Sequence, residues 1–254
     1  MNKKKQHYDN FLAEIYEYSP YFGKERREKD YATQYYIDNL PDKKDGRILE
    51  LVTCTGLLTI PIAKAGYKID SVDASPAVHE IVKRKLEFES KIVTDNISLK
   101  CSDVFEYCTE NRYSAIVMPD SFLLAIADKQ SQEDLIRKCY GLLKENGILI
   151  ADIFTPWKDI IEKKEVNQCS RFRTKEDELF IVYTHHQVDA QKQMHKFDFI
   201  HESYKNKNRY HHTVIYRYMY LDNLIDLFQK NGFEIIDISE KMNFGRNISI
   251  VVRK

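Results

Sequence analysis

Glycine and proline are scarce in this chain, with 8 and 6 among 254 residues, and no G-x-G-x-x-G run occurs. That absence sets aside the glycine-rich fingerprint of nicotinamide-dinucleotide binding. No internal repeat and no low-complexity linker interrupts the sequence. No apolar stretch reaches the roughly 18 residues of a membrane-spanning helix, so no membrane partner is expected. The basic opening Met1 to His7 is not followed by an apolar segment, so a secretory signal is not expected either. Charge of one sign is not in excess: 39 Lys and Arg balance 39 Asp and Glu. A polyanion binder usually carries surplus positive charge, so nucleic acid is not the expected partner. The cysteines number five, an odd count with no C-x-x-C pair. They read as reduced thiols of a cytoplasmic protein, with no zinc or other metal site. What is abundant is aromatic: 17 Tyr and 13 Phe, against a single Trp.

The length suits one large α/β domain with an embellishment, or two small domains. Residues 8–40 carry apolar and aromatic positions at helical spacing, broken into two helices by Pro20 and Gly23. From residue 47, short apolar runs alternate with helical segments. Strands are expected at 47–52, 68–72, 97–100, 113–118 and 148–154. Helices are expected at 57–65, from Pro76 to about Ser90, and at 132–144. Asn146-Gly147 reads as a turn into the fifth strand. Continuous apolar strands in such an alternation predict a parallel sheet covered on both faces. From about Ser170 to Tyr220 the pattern changes to period-two strands at 179–187, 194–203 and 211–218, an antiparallel addition. A helix at 221–230 and strands at 233–238 and 247–252 close the chain.

The stretch that carries chemistry is Ile48-Leu49-Glu50-Leu51-Val52-Thr53-Cys54-Thr55-Gly56, followed by a helix and then by Asp73, 17 residues after Gly56. A strand, a tight loop and a helix put backbone N–H groups at the carboxyl edge of the sheet. A carboxylate at the end of the second strand can accept two hydrogen bonds from ribose hydroxyls. These features describe a nucleoside-binding crevice.

Here the chain resembles the class I S-adenosyl-L-methionine-dependent methyltransferases, whose first motif is usually E-L-G-C-G-T-G. Glu50, Leu51, Thr55 and Gly56 match it, whereas Val52, Thr53 and Cys54 depart and two glycines are missing. Leu57 to Tyr67 is similar to the family's first helix, and Ser71-Val72-Asp73-Ala74-Ser75-Pro76 to its second motif. Ser102-Asp103, Met118-Pro119-Asp120-Ser121-Phe122 and Leu142 to Gly147 resemble the later motifs. The resemblance implies a Rossmann-like α/β fold: a seven-stranded sheet with an antiparallel last strand, a helical N-terminal lid and an antiparallel β insertion. Expected domains are the lid (1–45), the cofactor-binding core (46–155 and 221–254) and a β cap over the acceptor (156–220).

The same resemblance implies S-adenosyl-L-methionine as cofactor. The residues expected to bind it are Glu50, Val52, Thr53, Gly56, Asp73, Ala74, Ser75, Ser102, Asp103, Val104, Pro119 and Tyr21. For Asp103 the alternative is a loop carboxylate capping the next turn. Asp120 and Asp152 follow the fourth and fifth strands and are the candidate catalytic anions that orient a cationic acceptor, the alternative being carboxylates bonded to backbone. Tyr8, Tyr16, Phe122, Phe154 and Tyr183 are the candidate acceptor contacts, with core packing as the alternative for the N-terminal tyrosines. His185-His186 and His211-His212 are neighbours on strands, point to opposite faces and read as structural or surface residues.

Direct displacement at a sulfonium carbon needs alignment and exclusion of water more than a strong base. The expected activity is N-methylation of a small-molecule or peptide amine. A narrower candidate is dimethylation of the N-terminal arginine of an azole-modified peptide of the plantazolicin type. O-methylation, with His185, His201 or His211 as base, and a fold with little or no turnover are the alternatives. The oligomeric state is not legible.

Overall fold

The computed structural model describes residues 9–20, 32–242 and 247–254. Two short helices come first, α1 (Asn10–Ile15) and α2 (Ala32–Asp38). Asp9 caps α1, its carboxylate accepting from the Leu12 N–H at 2.9 Å. The alternating region then supplies β1 (Ile48–Leu51), α3 (Thr59–Lys64), β2 (Ile69–Asp73) and α4 (Pro76–Leu86). It continues through α5 (Lys91–Asp95), β3 (Ile97–Cys101), β4 (Tyr113–Met118), α6 (Lys129–Leu142) and β5 (Leu143–Phe154). After α7 (Lys158–Lys163) come β6 (Glu165–Arg173), β7 (Leu179–Asp189), β8 (Met194–Ser203) and β9 (Arg209–Arg217). The chain ends with α8 (Leu221–Lys230), β10 (Glu234–Met242) and β11 (Asn247–Arg253).

Seven strands form one sheet in the order β10-β11-β5-β4-β1-β2-β3. Strands β1 to β5 are parallel, and β11 runs antiparallel to both β5 and β10. Period-two alternation sends each central strand's side chains into two cores. Leu49, Leu51, Ile116, Met118, Leu149 and Ala151 join α6 and α8 on one face. Ile48, Ala115, Val117, Ile148 and Ile150 join α3 and α2 on the other. Full burial of each aliphatic side chain contributes about 1.5–3 kcal/mol, which is why these strands read as predominantly apolar runs. The second sheet, β6-β7-β8-β9, is antiparallel throughout. Among the described residues no helix is long and apolar enough to cross a membrane.

Three local features depart from the sequence reading. The helix expected to run from Pro76 to about Ser90 stops at Leu86, and Ser90, in extended backbone, starts a separate helix α5. The turn at Asn146-Gly147 is a bulge inside β5: the register jumps from Tyr113 opposite Leu143 to Ala115 opposite Ile148. Strand β6 starts at Glu165, ahead of the antiparallel strands expected from about Ser170, and the polar Gln168 and Ser170 occupy two of its inward positions.

At the amino edge of the sheet, Asp70 is 3% exposed. It accepts from Arg47 Nε at 3.1 Å and from the Tyr113 hydroxyl at 2.9 Å, and Tyr107 donates to Tyr113 at 2.8 Å. This network ties β1, β2 and β4 far from the carboxyl edge. Asp70→Ala should cost about 2 kcal/mol in urea unfolding, by stranding a buried hydroxyl and a guanidinium. Cofactor affinity, measured by calorimetry, should stay unchanged.

Candidate active site

The loop after β1 carries three residues in the left-handed region: Val52 at φ 75°, Cys54 at φ 49° and Gly56 at φ 79°. Two of them stand where the resembled family has glycine. The backbone therefore takes the glycine path with side chains in place, at a cost of roughly 1–3 kcal/mol each. Val52 packs against the main core. Cys54 turns its thiol to the Asp120 carboxylate at 3.1 Å. Beneath the loop, Glu50 is fully buried. Its Oε2 accepts from Thr59 and, at 2.5 Å, from Ser71. The Ser71 proton being so used, Thr53 donates to Ser71 Oγ at 2.7 Å. This chain of hydroxyls pins both ends of the loop. At Gly56 an added Cβ would stand 3.3 Å from Ile60 and 3.4 Å from Val82, so α4 crowds the turn.

Asp73 ends β2, buried, with Oδ1 accepting from the Ser75 N–H at 2.9 Å. Ser75 caps α4 by accepting from the Val78 N–H, and Ala74 lies between the two. Ser102 donates its N–H to the Asp73 carbonyl at 3.0 Å, joining the ends of β2 and β3. Asp103 Oδ1 accepts from the Phe105 N–H at 2.8 Å, so it caps the next turn. Val104 sends its side chain into the main core, and its carbonyl accepts from Lys138 Nζ at 2.8 Å.

The β4 loop passes buried Pro119 into two left-handed residues, Asp120 at φ 61° and Ser121 at φ 53°. Asp120 Oδ2 accepts from the Tyr16 hydroxyl of the segment after α1 as well as from Cys54. Asp152, expected to face the acceptor, is instead spent inside the protein. Its Oδ1 accepts from Tyr36 at 2.7 Å; its Oδ2 accepts from the Ser121 N–H and hydroxyl, each at 3.0 Å, and from Asn247 at 3.1 Å. With both oxygens engaged it braces the β4 loop against α2 and β11. Phe122 opens a short 3-10 turn packed on the core, and Phe154 ends β5.

Helix α1 lies between the four-stranded sheet and helix α4. Leu12 and Ile15 pack with Phe172, Phe180, Val182 and Phe199 of the four-stranded sheet. Phe11 stacks on Tyr210 at 3.7 Å. Glu14 and Glu17 pair with Arg84 and Lys85 of α4, and burial pushes the Lys85 ammonium down to about 8. Tyr183 is a correction: it lies on the outward face of β7, 42% exposed, because Val182 and Thr184 take the inward positions. It therefore does not line the space between the sheets. Tyr8 and Tyr21 lie outside the described residues. Of each adjacent histidine pair one ring points in and one out: His186 and His212 inward, His185 and His211 outward. Sequence reasoning missed the inward His195, and missed Cys54, Tyr36 and Asn247 as loop contacts. Alternation along the strand was a usable signal for the histidine; the others meet through long-range packing.

A family model described as a methyltransferase domain matches residues 48–147. The glycine/sarcosine N-methyltransferase of Aphanothece halophytica is 26% identical over 122 residues, covering 47% of this chain and 44% of that relative. The matches span about half the length of the curated relatives. Among solved structures, the CcbJ methyltransferase from Streptomyces caelestis superposes with a TM-score of 0.77 at 18% identity, over 97% of this chain and 99% of that one. A SAM-bound amino pentose methyltransferase of calicheamicin biosynthesis from Micromonospora echinaspora gives 0.69 at 10% identity, over the whole of both chains. The chain thus carries a methyltransferase domain, built on the class I fold of the S-adenosylmethionine-dependent enzymes. The cofactor fits this crevice: the loop keeps its turn, Val52 turns to the core, and Asp73 stands at the end of β2.

Two measurements check the site. Cys54→Gly should keep or raise the melting temperature, whereas Cys54→Val should lower stability by roughly 1–2 kcal/mol, since a branched side chain suits positive φ least. Asp152→Ala should cost about 3 kcal/mol in urea unfolding, because four donors lose a buried charged acceptor.

Proposed function

We propose that this chain transfers the methyl group of S-adenosyl-L-methionine to an amine nitrogen of a small molecule or a peptide natural product. The observation that carries this reading is the Asp120 carboxylate, held beside the β1 loop 3.1 Å from Cys54 Sγ. The bound cofactor supplies an electrophilic methyl group on a sulfonium sulfur. Asp73 would hold the ribose, and the β1 loop, with Glu50 beneath it, would make room for the methionine chain. Asp120 attracts the polar N–H bonds of an amine and directs the nitrogen lone pair toward the methyl carbon. Tyr16 donates to the same carboxylate and fixes its orientation.

Residues 1–45 serve as the lid and 156–220 as the cap in this reading. The contacts of α1 with the four-stranded sheet and α4, and of Tyr16 with Cys54 and Asp120, support it, since a closed lid excludes water from the reacting atoms. Curated and structural neighbours whose names specify N-methylation or an amino sugar support an amine acceptor over a hydroxyl. The aromatic inward face of the cap suits flat rings, so arginine-initiated azole peptides remain the narrower candidate. None of the five cysteines is in a disulfide, which suits a reducing cytoplasm.

The test incubates the protein with S-adenosylmethionine and a panel of amino sugars, arginine-initiated azole peptides and phenols. Products are read by mass spectrometry and S-adenosylhomocysteine release. Amines should gain methyl groups, and Asp120→Asn should lower kcat roughly a hundredfold with cofactor binding unchanged. Methylation confined to phenols would replace the N-transfer reading, and absence of any cofactor binding heat would end it.

A further inference from the structure

The inward face of the four-stranded sheet carries a row of rings on β8: His195, Phe197, Phe199 and His201 alternate along one side. His195 is 2% exposed and stacks on Phe197 at 3.9 Å. Phe154, at the carboxyl end of β5, stands edge-on to it at 6.4 Å, and Tyr216 of β9 stands edge-on to Phe154 at 5.2 Å. Two residues before Phe154 is Asp152, which binds Ser121 next to Asp120. The cap's aromatic wall thus begins beside the loop that holds the proposed amine-binding carboxylate.

The protons of this wall follow from one contact. Gln168 presents Oε1 to His186 Nε2 at 3.2 Å, and an amide oxygen only accepts, so His186 donates there. A neutral imidazole has one N–H, so His186 Nδ1 carries a lone pair and accepts from His195 Nε2 at 3.2 Å. The remaining nitrogen, His195 Nδ1, is therefore a buried lone pair, and it has no hydrogen-bond partner among the described residues. Burial pushes His195 down to about 3 and lowers His186 as well, so both rings stay neutral near pH 7. A buried acceptor left unpaired costs free energy that a ligand's donor can return.

We propose that His195 Nδ1 is an acceptor-recognition subsite, taking a hydrogen bond from a hydroxyl or N–H group on a flat ring of the methyl acceptor. This rests on the methyltransferase reading above. His186 and Gln168 are positioning residues that fix the tautomer of His195, as outer partners fix ligand histidines elsewhere. Phe154, Phe197 and Tyr216 supply the apolar wall for the ring, and the single lone pair selects rings that bear a donor. A site built around one polar contact discriminates strongly against the analogue lacking it, because its own group is then left unpaired.

The test uses two probes of the same shape, phenol and toluene, added to histidine-15N-labelled protein saturated with S-adenosylhomocysteine. The free protein should show His195 protonated at Nε2 only. Phenol should shift the Nδ1 resonance and bind about tenfold tighter than toluene, the worth of one hydrogen bond. His195→Phe should erase that preference while S-adenosylhomocysteine binding heat stays the same. If that variant fails to fold, Gln168→Leu, which releases the tautomer, should weaken the preference instead. Equal binding of both probes, a preference that survives the substitution, or a proton on Nδ1 would overturn the subsite. An Nδ1 resonance indifferent to phenol would assign that nitrogen to an ordered water and overturn it equally. Absence of S-adenosylhomocysteine heat in the unsubstituted protein would instead sink the methyltransferase reading.

Discussion

Strain in the loop after β1 sets the terms for everything around it. Val52 and Cys54 occupy left-handed backbone that glycine would take at no steric cost. Such conformations persist only where the surroundings over-determine them. Here the surroundings are specific. The Val52 N–H donates to the Val72 carbonyl at 2.8 Å, and the Gly56 N–H to the Thr53 carbonyl at 2.9 Å. Glu50, Ser71, Thr53 and Thr59 form a buried hydroxyl–carboxylate chain under the turn. The carboxylate costs desolvation energy, and the hydroxyls that converge on it offset that cost while tying the loop to β2 and α3.

The two side chains that replace glycine are also put to use. Val52 adds apolar area to the main core. Cys54 meets Asp120 and Tyr16, so the β1 loop, the β4 loop and the N-terminal segment converge on one carboxylate. The departure from the family motif and the closure of the N-terminal segment are thereby one feature. A glycine at position 54 would leave Asp120 with one contact fewer to the cofactor loop.

How much of this was legible in the sequence follows from the range of each interaction. The largely apolar runs of β1 and β4 could be read because burial on both faces leaves few polar positions, Glu50 and Ser114 among them. Pro76 announced the start of α4 because proline suits a first helical turn, and Asp73 before it fell at the strand end. Asp152 was legible as a carboxylate at the carboxyl edge but not as a brace. Its donors Tyr36 and Asn247 lie 116 and 95 residues away in the chain. Tyr183 was misplaced because the alternation of β7 does not itself say which face turns inward. Strand β6 was not named as a strand because an edge strand carrying Gln168 and Ser170 lacks the apolar period.

Register, in the end, decides the chemistry of the cap. Period two alone puts His195 and Phe197 on one face of β8. Only the pairing of Val188 with His195 and of His186 with Phe197 brings the two histidines side by side, and only the pairing of Val166 with His186 sets Gln168 within reach. A slip of one residue in β8 would turn His195 to solvent and bring Lys196 and Asp198 inward. Lys196 and Asp198 pair with each other at 2.5 Å, but burying the pair against Phe154 would still carry a desolvation cost of several kcal/mol per ion, so the apolar and imidazole pattern on this face also locks its register. The proposed acceptor subsite and the folding of the four-stranded sheet thus draw on the same alternation of side chains.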